Sequence, residues 1–506
     1  MSQLANLGSA LWELSTPTML FHVAWSMLLG IVVGALPGLT ATMGVALMVT
    51  LTYSMDTTAA ILVLICMYMG AIYGGSRSAI LLNIPGTPAS AATSLDGYPL
   101  ARAGLAGKAM GLATAGSMIG TLVGIIIMVM VSPALAELAL NFGSYEMFWL
   151  ALFGVLISGQ LTVGSVPIKG YIAGILGLMI AMIGSEGLHA YVRFSPVQPM
   201  NGGIGLIPAM VGVFGLAEIM SAMWLRQGVL ASVRDKSDRV IPSFREVWKY
   251  RITVLRSGVI GTIVGVIPGV GEDIGAWASY SAAKRSSKEP EKYGHGSTEG
   301  LIAAETGNSA VVPGSLIPAL TLAVPGSASA AVLIAALFIH GIRPGPMIMI
   351  EQPQFISTMG AILILAVIAM GIYGLTLTKL FVQVLRVPYA YLMPLVFTLC
   401  VVGTYSLSQR LFDVYVMIGF GLIGFVLRQM KYPMAPLVLG IILGTMLDTN
   451  LRRSLMLGNG DLWPFITRPI SAIFVAIIVI SILLNFGFVR RLLARVGSKL
   501  KWQRNA

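Results

Sequence analysis

From Met19 to Leu484 the chain is a succession of apolar runs, most of them nearly free of charge. Such runs admit few structures. A helix needs about 20 apolar residues to cross the hydrocarbon core of a bilayer. A backbone in lipid must also satisfy its own N–H and C=O groups, which leaves helices and closed barrels. Barrel strands would read as short alternating segments, and these runs do not alternate. The expected spans are Met19–Leu36, Thr57–Ile72, Ala109–Val131, Met147–Leu161, Ile168–Ile183, Ile204–Trp224, Phe355–Leu375, Tyr391–Tyr405, Val414–Leu427, Met434–Leu447 and Phe465–Leu484. Several are short, so tilt, pairing or re-entry is expected. Of 506 residues only 10% are charged, against about 25% in a soluble domain. The fold class expected is an all-α polytopic membrane protein with about 10–14 membrane segments.

The formal net charge of +12 invites a nucleic-acid reading, which the placement of the charge excludes. Arg226–Arg256 holds eight Lys/Arg against three acids, and Arg490–Ala506 holds six against none. Clustering of this kind follows from the positive-inside rule, so the excess reports orientation and contact with anionic membrane lipids. With both segments cytoplasmic, Arg102, Lys108, Lys169, Arg386, Arg428 and Lys431 fall inside and Gly341–Gln354 falls outside. Arg452 and Arg453 fit poorly, landing on the outer side. Residues 1–17 carry no Lys or Arg, so no cleavable signal peptide is expected. Cys66 and Cys400 lie in apolar runs and give neither a disulfide framework nor metal spacing. P-loop spacing, H-E-x-x-H and an arguable nucleophile–base set are all missing, so neither an enzyme nor a cofactor is expected.

Within this background Pro-Gly occurs six times, and four of the six form two matched pairs. "GALPGLTATMG" (Gly34–Gly44) precedes "GGSRSAILLNIPGTPAS" (Gly74–Ser90). "GVIPGVGEDIG" (Gly265–Gly275) precedes "PGSLIPALTLAVPGSAS" (Pro313–Ser329). Pro37 answers Pro268 and Pro85 answers Pro325, with a polar insertion, Lys284–Gly300, in the second copy. One Pro-Gly in a membrane helix is a tolerated kink; a repeated pattern is not accounted for that way. The charge pattern ends the first copy inside and the second outside. The copies are therefore expected to be two inverted repeats with broken helices or re-entrant hairpins at the membrane midplane, a layout of secondary transporters.

Thr87 and Pro88, after Pro85–Gly86, suit an N-cap and a first helical position, as Ser327 suits an N-cap after Pro325–Gly326. Each break should start a helix whose bare N–H groups face the break and attract an anion, carboxylate above all. The substrate-binding candidates are Pro37, Gly38, Thr40, Asn83, Pro85, Gly86, Thr87, Ser90, Pro268, Gly269, Gly271, Pro325, Gly326, Ser327 and Ser329. Unwound carbonyls and side-chain oxygens favour cations, so Asn83, Asp273, Glu305 and Asn308 are candidates for holding a coupling ion, Na+ or H+. Glu305 is an ionisable residue at membrane depth, and reads equally as a helix-end group beside the 284–300 loop. Glu272 and Asp273 equally suit the first turn of a helix. Arg77 either meets a substrate carboxylate or serves as a snorkelling or structural cation.

Together "GALPGLTATMG", "YGGSRSAILLNIPGTPASAATSLDGYPLARAG", "IPGVGEDIGAWASYSAAKRSSKEPEKYGHGSTEGLIAAETGNSA", "IPALTLAVPGSASAAVL", "GIRPGP" and "APLVLGIILGTMLDTNLRRSL" resemble the large membrane subunit of the tripartite tricarboxylate transporters across residues 18–470. The resemblance implies a multi-pass permease of the bacterial inner membrane with a cytoplasmic C-terminus. It implies import driven by an ion gradient of organic carboxylates, citrate being the namesake. It also implies two partners, a small four-helix membrane subunit and a periplasmic solute-binding protein, and allows a homodimer of the complex. The family's glycine pair stands here at Gly74–Gly75 but as Pro313–Gly314 in the second copy, and its Asn-rich stretch reads Gly307–Asn308–Ser309. A single-component antiporter and an anion channel are the alternatives from the residues alone. The chain divides into an N-terminal segment (1–17), a first repeat core (18–108), scaffold helices (109–225), a basic loop (226–256), a second repeat core (257–350), further scaffold helices (351–488) and a basic tail (489–506).

Overall fold

The computed structural model describes residues 2–36, 39–161, 166–224, 240–242, 244–268, 271–377 and 389–483. These residues are helical apart from their connections and one small antiparallel hairpin, β1 (Gly184–Ser185) with β2 (Val192–Arg193). After α1 (Ser2–Leu14) the first repeat comprises α2 (Pro17–Ala35), α3 (Ala41–Thr52), α4 (Thr57–Leu82) and α5 (Ser90–Leu100). A π-helical turn at Ala101–Leu105, with Gly104 at φ 88°, joins α5 to α6 (Ala106–Ala139). Next come α7 (Ser144–Leu161), α8 (Pro167–Ala181), and α9 (Leu206–Met210), which runs through a π-helical stretch into α10 (Ala217–Trp224). A short α11 (Phe244–Lys249) leads into the second repeat: α12 (Arg251–Val266), α13 (Gly271–Ser286), α14 (Thr298–Leu322) and α15 (Ala328–Ile339). The rest is α16 (Ile348–Glu351), α17 (Phe355–Thr376), α18 (Tyr389–Ser408), α19 (Leu411–Gln429), α20 (Met434–Leu457), α21 (Pro464–Thr467) and α22 (Pro469–Leu483).

Among the described residues six helical runs are long and apolar enough to cross a membrane, and shorter apolar helices accompany them. The chain is thus an all-α polytopic membrane protein, and each expected span overlaps a helix. Several helices lie outside the expected spans, among them α3, α12, α14 and α15. α14 carries Glu305, Asn308 and two prolines, yet every residue from Gly300 to Leu322 is buried. A helix covered by protein all round can hold polar groups at membrane depth, because its neighbours, not lipid, solvate them. Arg452 is explained by the length of α20, which runs ten residues past the expected span. The guanidinium of Arg452 lies 3.2 Å from Glu186 and 3.1 Å from Asp448, so its charge is matched by acids around the β hairpin.

Helix packing repeats between the halves. Tail-to-tail apolar contact gives little net attraction in lipid, so membrane helices associate through small residues that bring backbones close. In the first repeat Gly30 of α2 faces Met67 of α4, Gly34 faces Ala71, and Gly74 faces Ile31. In the second, Gly261 of α12 faces Gly307 of α14, Gly265 faces Val311, and Gly314 faces Thr262. Adding 231 to the α2 numbers and 240 to the α4 numbers turns one set into the other. The corresponding helices α4 and α14 also touch each other. Tyr68 bonds Ser315 and, further along α4, Ser76 bonds Glu305, which lies further back along α14. The two helices therefore run past each other in opposite directions.

Candidate functional site

Both expected breaks are present, and they begin alike. α4 ends at Asn83 (φ 55°, ψ 28°) and α14 at Ala323 (φ 56°, ψ 25°), each left-handed and two residues before a proline. The residue before proline is pushed out of the α region, so Ile84 and Val324 cannot continue the helix. The chain then doubles back, and in the first repeat the Gly86 N–H donates to the Gly75 carbonyl at 3.3 Å. A Cβ on Gly86 would strike the Gly34 carbonyl oxygen and lie 2.8 Å from the Gly75 Cα. A Cβ on Gly326 would strike the Gly265 carbonyl oxygen and lie 2.8 Å from the Ser315 Cα. Each Pro-Gly thus lays bare backbone against a helix crossing where no side chain fits.

The helix starts differ. Ser327 caps α15 as expected, its Oγ accepting from Ala330 N–H at 3.1 Å and its carbonyl from Ala331 N–H at 3.0 Å. α5 begins at Ser90, not at Thr87–Pro88 as the sequence suggested. A tight turn comes first: the N–H groups of Ser90, Ala91 and Ala92 donate to the carbonyls of Thr87, Pro88 and Ala89. Thr87 and Ser90 also bond each other reciprocally. The amides expected to be bare there are largely occupied by the turn itself. Asn83 is exposed and Pro85 half-buried, whereas Gly86, Thr87, Ser90, Pro268, Gly271, Pro325, Gly326, Ser327 and Ser329 are buried. Thr40 caps α3 through the Met43 N–H, at 3.2 Å. Pro37, Gly38 and Gly269, with the side chain of Asp273, lie outside the described residues.

The breaks meet crosswise. The helix after the first Pro-Gly of one repeat meets the helix after the second Pro-Gly of the other. Thr42 of α3 and Ser329 of α15 are hydroxyl to hydroxyl at 3.0 Å. Ala89 and Ala92, at the start of α5, pack in one cluster with Ala276 of α13 and Ala304 of α14. Gly271, which opens α13, donates its N–H to the Gly326 carbonyl at 3.0 Å.

Two side chains at corresponding positions, Tyr68 and Asn308, behave differently. The Tyr68 hydroxyl reaches the second break, 2.8 Å from Ser327 Oγ and 3.2 Å from Ser315 Oγ. Asn308, 240 residues on, is fully buried, and among the described residues neither its Oδ1 nor its Nδ2 has a hydrogen-bond partner. An amide is shorter than a phenol and does not repeat the bond. Leaving a buried polar group unpaired costs about 1–3 kcal/mol. By helical spacing Asn308 lies on the face of α14 that also carries Ala304 and Glu305.

Glu305, one turn away, is fully buried. Its carboxylate accepts from Ser76 of α4 at 2.7 and 2.8 Å, from Thr93 of α5, and from Ser117 of α6 at 3.1 Å. Four helices converge on this one group. Arg77, adjacent to Ser76 and also fully buried, turns instead to α6, donating to the Met110 carbonyl (3.1 Å) and Thr114 (2.9 Å) and stacking 4.1 Å over Tyr73. Arg77 is a structural cation joining α4 to α6, and it forms no direct ion pair with Glu305. Asp96, further along α5, is buried too. Its Oδ1 accepts the N–H groups of Gly294 (2.8 Å), Gly296 (2.9 Å) and Ser297 (2.8 Å). This backbone nest, made from the polar insertion of the second repeat, ties the first repeat's α5 to the start of α14.

Sequence reasoning missed Thr42, Tyr68, Ser76, Thr93, Ser117 and Asp96. A signal existed for Tyr68: the offset of 240 that relates Pro85 to Pro325 also relates it to Asn308. The hydroxyls gave none, because Ser and Thr are common in membrane helices.

A bundle of apolar helices in two like-packed halves, each interrupted at a Pro-Gly, defines a polytopic membrane protein with broken helices. The sequence profile of the Tripartite tricarboxylate transporter TctA family matches residues 20–439, and the chain belongs to that family. It is a large membrane subunit of the tripartite type, a transporter and not an enzyme, and such transporters also comprise a small membrane partner and a periplasmic binding protein. The chain is 36% identical over 487 residues to the "Uncharacterized 52.8 kDa protein in TAR-I ttuC' 3'region" of Agrobacterium vitis, covering 94% of this chain and 95% of that protein. It is 36% identical over 224 residues to the "Uncharacterized protein in TAR-II ttuC' 3'region" of the same organism, covering 44% of this chain and 93% of that one. No solved structure matches it.

Proposed function

We propose that the chain imports an organic carboxylate across the bacterial inner membrane, driven by a cation gradient, from a periplasmic binding protein. The C-terminus is cytoplasmic, the two repeats are inverted, and the substrate sits between the crosswise pairs of broken helices. The observation that carries this reading is Asn308, whose buried amide lacks a partner among the described residues one helical turn from Ala304, which packs with α5 and α13. An amide N–H there, with helix N-termini of positive potential, suits a carboxylate. The opposed directions of α4 and α14 support the inverted relation, the arrangement that places such sites at the midplane.

Coupling to Na+ or H+ is assigned to the Glu305 cage. A carboxylate with three hydroxyls supplies oxygens for Na+, or a seat for a proton. Its spacing links it to the substrate site: Thr93 is three residues from Ser90 on α5, and Glu305 three from Asn308 on α14. Occupying the cage therefore fixes the two helices that also border the substrate. Asn83 is left at the rim. The test is uptake into proteoliposomes holding the complex with its small membrane partner, supplied with the binding protein and a carboxylate selected by screening that protein. Uptake should require a Na+ or H+ gradient and be abolished in Glu305→Gln. Gradient-independent flux, or normal coupling in Glu305→Gln, contradicts the reading.

A further inference from the structure

Away from the breaks, a cavity of about 960 Å³ opens where α6, α11 and α12 meet the loop before α14. Six Lys/Arg line it against three Glu. Much of this charge is already matched. Lys108 pairs with Glu246, and Lys292 with Glu289 at 2.7 Å. Glu299 accepts from the Thr253 and Ser287 hydroxyls at 2.7 and 2.8 Å. Among the described residues Lys249, Arg251, Arg256 and Lys288 have no carboxylate ion-pair partner, and Arg256 keeps a buried Nε that bonds none of them. The cavity is therefore a positive pocket with hydroxyls in its wall.

An apolar row runs on from one edge of the pocket. Ile252 lines the cavity, and Leu255, Val259 and Ile263 follow it along α12 at helical spacing. These four are 70, 55, 42 and 57% exposed, the exposure of a lipid-facing stripe. Trp248, a residue type enriched at membrane interfaces, adjoins Lys249, with the Arg251 guanidinium 5.4 Å over its ring. A free anion would use the basic pocket alone; the apolar row running out of it matches an acyl chain.

We propose that this pocket binds the phosphate headgroup of an anionic glycerophospholipid, with Lys249, Arg256 and Lys288 contacting the phosphate and one acyl chain lying along Ile252–Ile263. Basic pockets between membrane helices suit such headgroups. The site is separate from the substrate site and would hold α12 in the bilayer beside the second repeat.

The test uses the full chain purified in detergent, titrated with dioctanoyl phosphatidylglycerol, dioctanoyl phosphatidylcholine or inorganic phosphate. Melting midpoint and lipid retained in native mass spectrometry are read. Phosphatidylglycerol should raise the midpoint and stay bound, and the other two should do neither. In Lys249→Gln/Arg256→Gln/Lys288→Gln its apparent affinity should fall about a hundredfold. Lys288→Gln alone, on an exposed loop residue, should weaken it about fivefold and covers the case of a misfolded triple variant. Equal stabilisation by phosphatidylcholine, a matching effect of phosphate alone, or unchanged affinity in Lys288→Gln would each overturn the proposal.

Discussion

The two breaks share a backbone path and divide in what surrounds it. At the second break the loop is buried, Ser327 caps the new helix, Tyr68 bonds that cap, and Gly345 N–H closes on the Leu320 carbonyl at 2.8 Å. At the first, Asn83 is exposed, the N-terminal amides are folded into a tight turn, and the position matching Tyr68 is the unpartnered Asn308. Glu305 with its hydroxyl cage, and Asp96 in its nest, also meet α5 and not α15. The second break is thus a fixed wall. On the other side Asn308 has no partner among the described residues, which is why the proposed binding is put there.

The largest effects should be equal at the two breaks and test their shared path. Gly86→Leu and Gly326→Leu each force a side chain into backbone, beyond the 1–3 kcal/mol or so of ordinary overpacking. Both should abolish uptake while the protein still reaches the membrane fraction; loss in one alone would break the equivalence. Next, Asn308→Ala should cut uptake about a hundredfold, in line with losing one buried polar contact to a charged ligand, with the melting midpoint unchanged or raised. Tyr68→Phe should do the reverse, lowering stability by about 1 kcal/mol and leaving uptake within a few-fold. Of similar size, Ser327→Ala should cost about 1 kcal/mol as a lost N-cap, and Thr87→Ala less, because the turn before α5 keeps its backbone bonds; denaturation in detergent separates them. The least should be Ala323→Gly, which relieves a left-handed alanine and stabilises by about 0.5–1 kcal/mol, while Asn83→Gly gains less, since asparagine tolerates that conformation.

A control lies far from both breaks, at the β hairpin. Burial would raise the Glu186 carboxyl, but hydrogen bonds from the His189 backbone and ring, with Arg452, outweigh it and hold the group below its usual value. A carboxylate depressed in the folded state contributes stability above its unfolded pKa, about 4.3 for Glu, and loses it as pH falls through the lower folded value. Melting should therefore weaken more steeply below about pH 4 in the native chain than in Glu186→Gln.

Much of this was legible in the sequence. Apolar runs fixed the class because lipid admits so few backbones, and matched Pro-Gly pairs located both breaks to within two or three residues. Ser327 was legible because a serine cap acts locally. Thr87 misled, since Thr-Pro after Pro-Gly looks like a helix start, and only the packing of Gly86 against Gly34 and Gly75 delays it to Ser90. α14 lies outside every expected span because its polar residues lower its hydropathy, although it is buried from Gly300 to Leu322. The crosswise meeting of Thr42 with Ser329, and of Ser76, Thr93 and Ser117 around Glu305, depends on contacts between residues 188 to 287 positions apart. No local pattern encodes such contacts.

The central claim is most directly tested by a density map of the assembled complex saturated with the carboxylate that its binding protein selects. The account predicts solute density bonded to Asn308, between the starts of α5 and α13 and within one helical turn of Glu305. Density elsewhere, with the Asn308 amide still unpartnered in the bound state, would contradict it.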